Sequence, residues 1–405
     1  MGDVIGHVWA ILISISLLSI IPIPGTSSVS GQEFDVYGLE KVWEYNRNES
    51  RATFWKLEWS PDGTLVASTF FDNTCVVLNS TDGSVEAVID QNEEGSVTRC
   101  DGFAPDGTLP LRCCAFSPDG KYLAVGGDDL VVRLYDTSDW KLDREFRGHS
   151  GSILCLDFSP DGRYLASGSG TDKVIPQNAG ENVTRIWDME TGEHFEVLSG
   201  HRDGVLGVKF SHDGERICTV SDDRTVRTWS FPQCEMLINT SGHTSGVLDV
   251  GWSPDDEILI TGSRDYKIKI WNSSTGEIIQ TWSDYNCVRS VDIHPKADIA
   301  ATSGVDLTLK IRDMETGSVY KKIKDGMEQD AMVMSSRWSP DGRYLASGLG
   351  KSHTVIMYKL AGGEAESGGG IDPAVITVTV MLVSSALFLV IIYYPVVKRI
   401  KKRRI

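Results

Sequence analysis

Three histidines are the first residues to weigh for chemistry. His149, His201 and His243 each follow a glycine and stand 52 and 42 residues apart. Imidazole is the commonest metal ligand and a frequent general base. Ligands that share a metal, however, recur at short spacing on one element, as in H-E-x-x-H, and these three lie in separate segments. His194, His212, His294 and His353 are scattered. The chain has no H-E-x-x-H, no G-x-S-x-G, no Gly-rich phosphate loop with a lysine and no calcium-loop spacing. Gly168-Ser169-Gly170 reads as a strand-end loop, not a nucleophile turn. The aspartates of the Pro-Asp-Gly turns form no close pair that spacing demonstrates. These residues therefore assign no catalytic group, no metal ligand and no cofactor. Among eight cysteines, Cys100 and Cys113 or Cys114 flank a short loop, so Cys100–Cys113 is a candidate disulfide. Cys155 and Cys218 fall inside strand patterns and read as buried thiols. No C-x-x-C pair occurs.

The elements that carry these residues repeat. Ser60-Pro61-Asp62-Gly63 recurs as Ser117-Pro118-Asp119-Gly120, Ser159-Pro160-Asp161-Gly162 and Ser339-Pro340-Asp341-Gly342. Weaker copies are Ser211-His212-Asp213-Gly214, Ser253-Pro254-Asp255-Asp256 and His294-Pro295-Lys296. The intervals are 57, 42, 52, 42, 41 and 45 residues, which makes seven repeats with two enlarged. Proline presets the first central position of each turn and glycine closes it. β-Branched residues fill the flanking runs. In the fifth repeat, 247–252, 258–262, 268–271 and 277–282 read as four successive strands. Four such strands bury little alone, so the repeats must stack in a ring. The expected fold is all-β: a seven-bladed propeller of four-stranded antiparallel blades.

These residues resemble the WD-repeat propeller family over roughly 39–360. Gly148-His149, Gly200-His201 and Gly242-His243 match its Gly-His pair, and Trp187-Asp188, Trp229-Ser230 and Trp271-Asn272 its third-strand ending. The resemblance implies a hydrogen-bonded stack of His, Ser or Thr, Asp and Trp in each regular blade. The fifth blade supplies His243, Thr261, Asp265 and Trp271, and the fourth His201, Thr219, Asp223 and Trp229. The third supplies His149, Ser167 and Trp187, with Asp172 as the candidate acid. Arg312 stands where the sixth blade's Trp would be, and His353 near the place of the seventh blade's Asp. The last repeat runs out after 354–360, and the strand-like segment 37–45 is expected to close the ring, which removes exposed edges.

The family's chain direction puts the Ser-Pro-Asp-Gly turns on the bottom face. Both enlargements, 92–111 and 170–182, then fall on the top face. Two insertions on one face suggest a surface for a protein partner, with Arg99, Phe103, Leu109 and Asn182 as candidate contacts. Resemblance to quinone-type propellers through Thr191-Gly192-Glu193 and Thr316-Gly317-Ser318 keeps open an enzyme or cofactor protein with a site in the central channel. A subunit of an envelope export or assembly complex is a third reading.

The two ends suggest location. Residues 374–397 carry no charge over a length that spans a bilayer as a helix. Six cations follow, Lys398, Arg399, Lys401, Lys402, Arg403 and Arg404, and predict a cytoplasmic tail at 398–405. Residues 1–30 read as a signal peptide or, because no Lys or Arg precedes the apolar run, an uncleaved anchor. Either way the propeller, 31–360, is expected outside the cytoplasm at the cell membrane. The Gly-rich linker 361–373 supplies a short tether. Five N-x-S/T sequons, at Asn48, Asn79, Asn182, Asn239 and Asn272, permit glycosylation. The net charge is −17, and −23 without the basic tail. That acidity argues against nucleic acid as partner, since phosphate binding needs a basic footprint.

Overall fold

The computed structural model describes residues 26–29, 32–47, 53–91, 109–170, 180–324, 332–350 and 352–361. Among the described residues, apolar runs alternating with tight turns give 29 strands, grouped into seven antiparallel sheets. The innermost strand of each sheet packs against its counterparts in the sheets on either side, so the ring is closed. These inner strands are Phe54–Trp59, Leu111–Phe116, Ser152–Phe158, Val205–Phe210, Val247–Trp252, Val288–Ile293 and Val333–Trp338. The seven-bladed fold is as expected. One blade differs: Gln32–Asn46 pairs with Thr354–Ala361 as anticipated, but Thr26–Val29 adds a fifth strand outside it.

Six of the seven turns between first and second strands share one Ser–Asp hydrogen bond. Ser60 Oγ donates to Asp62 Oδ1 at 2.6 Å and accepts from the Leu65 amide at 2.9 Å, while Gly63 takes φ 72°. In the fifth blade Asp256 holds the glycine's place with φ 58°, a region aspartate tolerates. Its carboxylate accepts from the His212 and Asp213 amides, both at 2.9 Å, and so ties the fourth blade's turn to the fifth. In the sixth blade His294 replaces the serine. Its Nε2 lies 2.9 Å from Gly342 O in the next blade, and its Nδ1 accepts from the Lys296 amide at 3.0 Å.

Among the described residues, seven hydrophobic clusters occupy the seven seams. Ala67, Cys75 and Val77 of the first blade meet Leu111, Cys114 and Phe116 of the second. Leu39, on the closing strand, packs with Ile299 and Ile311 of the sixth blade.

The channel along the ring axis carries charge. Asp249 accepts from Arg337 Nη2 at 3.0 and 2.9 Å, from Ser290 Oγ at 3.1 Å and from the Val291 amide at 3.1 Å. Lys56 reaches it from the first blade at 3.2 Å. Lys209 of the fourth blade lies 2.8 Å from Asp157 and 3.8 Å from Glu58. Burial opposes the ionisation of Asp249, yet Arg337 and Lys56 hold its carboxyl down at about 2. Burial wins at two other carboxyls: it raises Asp157 despite Lys209, and raises Asp292 to about 6 against the pull of Arg337 and the 2.7 Å bond from the Trp338 amide.

Two pH effects follow, of opposite sign. Asp292 binds its proton more tightly folded than unfolded, so its ionisation costs stability progressively as pH rises from about 4 to 6 and fully above that. Asp292→Asn keeps an oxygen for the Trp338 amide. It is expected to stabilise the protein by roughly 2 kcal/mol at pH 8 and to lose that advantage near pH 4, read by denaturant unfolding across pH. Burial lowers His294 to about 4. Its contribution is complete above its unfolded value of about 6.5 and is lost as pH falls towards 4. His294→Ser should therefore make the acid limb of the stability profile shallower by about 3 kcal/mol over that window.

Candidate functional site

The stacks are internal braces. In the fifth blade His243 Nε2 lies 2.8 Å from Thr261 Oγ1 and Nδ1 3.0 Å from Asp265 Oδ2, while Trp271 Nε1 donates to Thr261 Oγ1 at 2.8 Å. In the fourth, His201 meets Thr219 at 2.9 Å and Asp223 at 3.0 Å, and Trp229 donates to Thr219 at 3.0 Å. In the third, His149 meets Ser167 at 2.7 Å and Trp187 donates to Ser167 at 2.8 Å. Burial pushes all three imidazoles below their ordinary range. Each hydroxyl is engaged by a ring on either side, so none is offered as a nucleophile.

Two members differ from expectation. The acid of the third stack is Glu181, 3.2 Å from His149 Nδ1, and Asp172 lies outside the described residues. The His149 contact and the Arg185 guanidinium, 2.8 Å away, hold Glu181 at about 2. In the sixth blade Arg312 does the work of the missing Trp. Its Nε donates to Thr302 Oγ1 at 3.0 Å and its Nη2 to Asp284 at 2.7 Å. Lys310 also pairs with Asp284, and with Asp306 at 2.6 Å.

Among the described residues, one surface able to receive a ligand is the channel mouth. In every blade the pairing of the first two strands skips one residue of the inner strand. The skipped residues are Trp55, Arg112, Leu154, Leu206, Leu248, Arg289 and Met334. Such bulges release a side chain from the ladder and re-aim it. Six of the seven, with Lys56 and Arg264, line a cavity of about 150 Å³. The seventh, Arg112, is buried in a bidentate pair with Asp128 at 2.9 and 2.8 Å, its guanidinium 4.2 Å from the Trp55 ring centre. Arg289 lies 5.7 Å from the same ring. Trp55 is thus held by cations, and the described lining joins apolar side chains to Lys56, Arg264 and Arg289 with no carboxylate among them, while Asp249 and Asp222 pair with Lys56 and Arg264 from outside it.

The mouth lies at the end of the blades opposite the Pro-Asp turns. The chain leaves at the turn end, where the Leu360 amide donates to Arg343 O beside the seventh turn. Because Asp35 pairs with Ala361 and Asn46 with Thr354, the closing strand starts at that same end.

Of the expected contacts, Arg99 and Phe103 lie outside the described residues, while Leu109 is half-buried. Asn182 is half-buried as well, its amide oxygen enclosed and pointing towards Gly170. Cys113 is a buried free thiol 3.6 Å from Ile153 O, whereas Cys100 lies outside the described residues. Among the described residues no cluster of three or more His, Cys, Asp or Glu is arranged to hold a metal. Nor, among them, is any helix long and apolar enough to cross a membrane; residues 374–397 are not described.

The motif search missed the mouth, yet its members share a position. Each stands five residues before the Ser or His that opens the turn, from Trp55 and Ser60 to Met334 and Ser339. Reading that column across all seven repeats would have found it.

Comparison with known proteins agrees with this architecture. The family model "WD domain, G-beta repeat" matches residues 42–79, 106–136, 140–175, 192–230, 234–272 and 321–359. The unmatched stretch between the last two contains the Arg312 stack. Among similar proteins, "Protein tipD" of Dictyostelium discoideum is 30% identical over 59% of this chain and 38% of its own length. "Anaphase-promoting complex subunit cdc20" of the same organism is 30% identical over 27% of this chain and 20% of its own. "Protein HIR1" of Aspergillus oryzae is 25% identical over 47% and 18%. The chain thus spans at most about two-fifths of the length of these relatives. The repeated motif, the seven closed blades and the six family matches together make this chain a member of the WD-repeat family.

Proposed function

We propose that the protein is a non-catalytic interaction platform that receives a protein partner at the channel mouth. The observation that carries this reading is the described lining itself: Trp55, Leu206, Leu248 and Met334 beside the cationic side chains of Lys56, Arg264 and Arg289, of which Lys56 and Arg264 are also held by Asp249 and Asp222, in a chain of net charge −17. Aromatic and arginine side chains in a concave, partly desolvated site are the usual anchors of protein interfaces. The partner segment would place an apolar side chain against the leucines and a carboxylate against the arginines. One relative is by name a subunit of a multiprotein complex, which is in keeping with an assembly role.

The platform would be tethered to the cell membrane through 374–397 and would face outward, with 398–405 inside. The uncharged stretch and the six cations after it support this orientation. The chain would enter and leave the ring on the membrane side, so the mouth would be presented away from the bilayer. The acidity of the body weighs against nucleic acid as the ligand.

The test is capture of partners from native membranes with the intact chain, Trp55→Ala, Leu206→Asp and a double Arg264→Glu, Arg289→Glu variant. A partner held by the intact chain should be weakened at least thirtyfold by Trp55→Ala, the scale of an interface hot spot of about 2 kcal/mol. The double variant should lose it most at low salt. Undiminished capture by all three would reject the mouth as the interface. Release of the propeller by alkaline wash without cleavage at the linker would reject the tether.

A further inference from the structure

We propose that the outer rim of the third, fourth and fifth blades is a second docking surface, for a protein segment with an apolar face flanked by lysine or arginine. In every blade the outermost strand also skips one residue in its pairing with the third strand. The skipped residues are Glu86, Asp143, Phe195, Leu237, Ile279, Tyr320 and Val42. A free strand edge is protected by a charge or by a bulge. The first and second blades have both, with Glu86 and Asp143 in the bulge. The third, fourth and fifth keep the bulge and replace the charge with Phe195, Leu237 and Ile279. Leu237 is 54% exposed and Ile279 51%, and Met236 and Ile278 beside them are exposed too.

These side chains form one patch across two seams. The Phe195 ring centre lies 4.9 Å from that of Tyr164 and 6.1 Å from that of Phe231, which opens the fourth blade's turn before Met236. In the fifth blade's turn Gly276, at φ 73°, lies so close to the fourth blade that a Cβ there would stand 2.6 Å from Ile238 Cγ2. Ile278 and Ile279 thus continue from Leu237 and Ile238. The third strands end beside the Pro-Asp turns, as Tyr164 opposite Asp188 and Ile258 opposite Asn272 show, so the patch begins at the end of the ring away from the mouth. A contiguous exposed apolar patch marks an interaction surface.

Charge decides what covers it. The stretches 188–198, 230–241 and 272–283, which form this rim, contain no lysine or arginine and six acids: Asp188, Glu190, Glu193, Glu196, Glu235 and Glu277. The five glutamates are exposed, and Asp188 takes Arg163 at 3.5 Å. Like charge weighs against a second copy of this chain and against an anionic bilayer. The bulges interrupt the strand edge, so an added strand would lose ladder bonds where it crosses them. What fits is a segment whose side chains dock: apolar groups on Phe195, Leu237 and Ile279, and cations on the glutamates around them. The rim and the mouth call for partners of opposite charge, and the rim does not rest on the reading of the mouth.

The probe is a synthetic helix of about 18 residues, leucine on one face and lysine on the other, carrying one photoreactive leucine. A counterpart has glutamate for every lysine. The full chain would be titrated with each, cross-linked by light and mapped by peptide mass. The proposal expects the lysine helix on the peptides that contain Phe195, Leu237 and Ile279 and not on those with Glu86 or Asp143. It expects the glutamate helix to bind at least roughly tenfold more weakly, and a Leu237→Ser, Ile279→Ser double variant to weaken the lysine helix by about the same factor. A Glu235→Gln, Glu277→Gln double variant should flatten the salt dependence. Cross-links spread over the acidic surface at large, or undiminished binding to the serine variant, would overturn the proposal. So would links between copies of the chain at Leu237 or Ile279. Labelling of the rim by a photoreactive lipid in phosphatidylserine vesicles, with none from the lysine helix, would give the rim to the bilayer and overturn it too. The mapping uses the intact chain, so it decides even if a variant fails to fold.

Discussion

Four of the seven blades meet on one carboxylate. Asp249, from the fifth blade, binds Lys56 of the first, Ser290 and the Val291 amide of the sixth, and Arg337 of the seventh. The seams between blades are apolar, and apolar contact has no preferred direction. It would hold a blade to its neighbour without fixing what lies across the ring. The charged contacts fix that: Lys56 to Asp249 and Glu58 to Lys209 span the channel between blades that are not neighbours. A buried charge is costly unless its partners are in place, and removing one partner of such a pair typically costs 3–5 kcal/mol. The network therefore contributes more to the arrangement of the ring than to its net stability.

A blade can brace its top turn in more than one way. The third, fourth and fifth blades use a neutral imidazole, a hydroxyl and an indole N–H. The sixth keeps the hydroxyl, Thr302, and replaces both rings with charge, Arg312 and Asp284. The geometry that matters is a donor reaching the hydroxyl from the third strand, and guanidinium Nε supplies it as well as indole Nε1. The backbone is the same in both cases, which explains why a four-stranded blade exists where the family pattern lapses.

The parts of this architecture that were legible in the sequence rest on local chemistry. Serine, proline, aspartate and glycine act within one turn, so seven turns announce seven blades even where His294 or Asp256 substitutes. The closing strand was legible because the last repeat lacked a fourth strand and an orphan segment lay at the other end. Glu181 was not: the insertion in the third blade moves the acid far from its usual spacing, and only the folded loop end brings it to His149. The channel network was not legible either, because Lys56 and Asp249 are 193 residues apart and become neighbours only when the ring closes. The mouth falls between these cases. Its residues share a column, but their common fate depends on a strand irregularity that composition does not reveal.

The bulged residue of each inner strand makes no ladder bond of its own, so its side chain is decoupled from the hydrogen bonding that builds the blade. Trp, Arg, Leu and Met all stand there in one molecule without altering the strand that carries them. The ring of seven such positions behaves as a word whose letters are independent of the page on which they are printed. Selection can rewrite what this surface reads one blade at a time at the six positions that line the mouth, whereas Arg112, locked to Asp128, belongs to the scaffold.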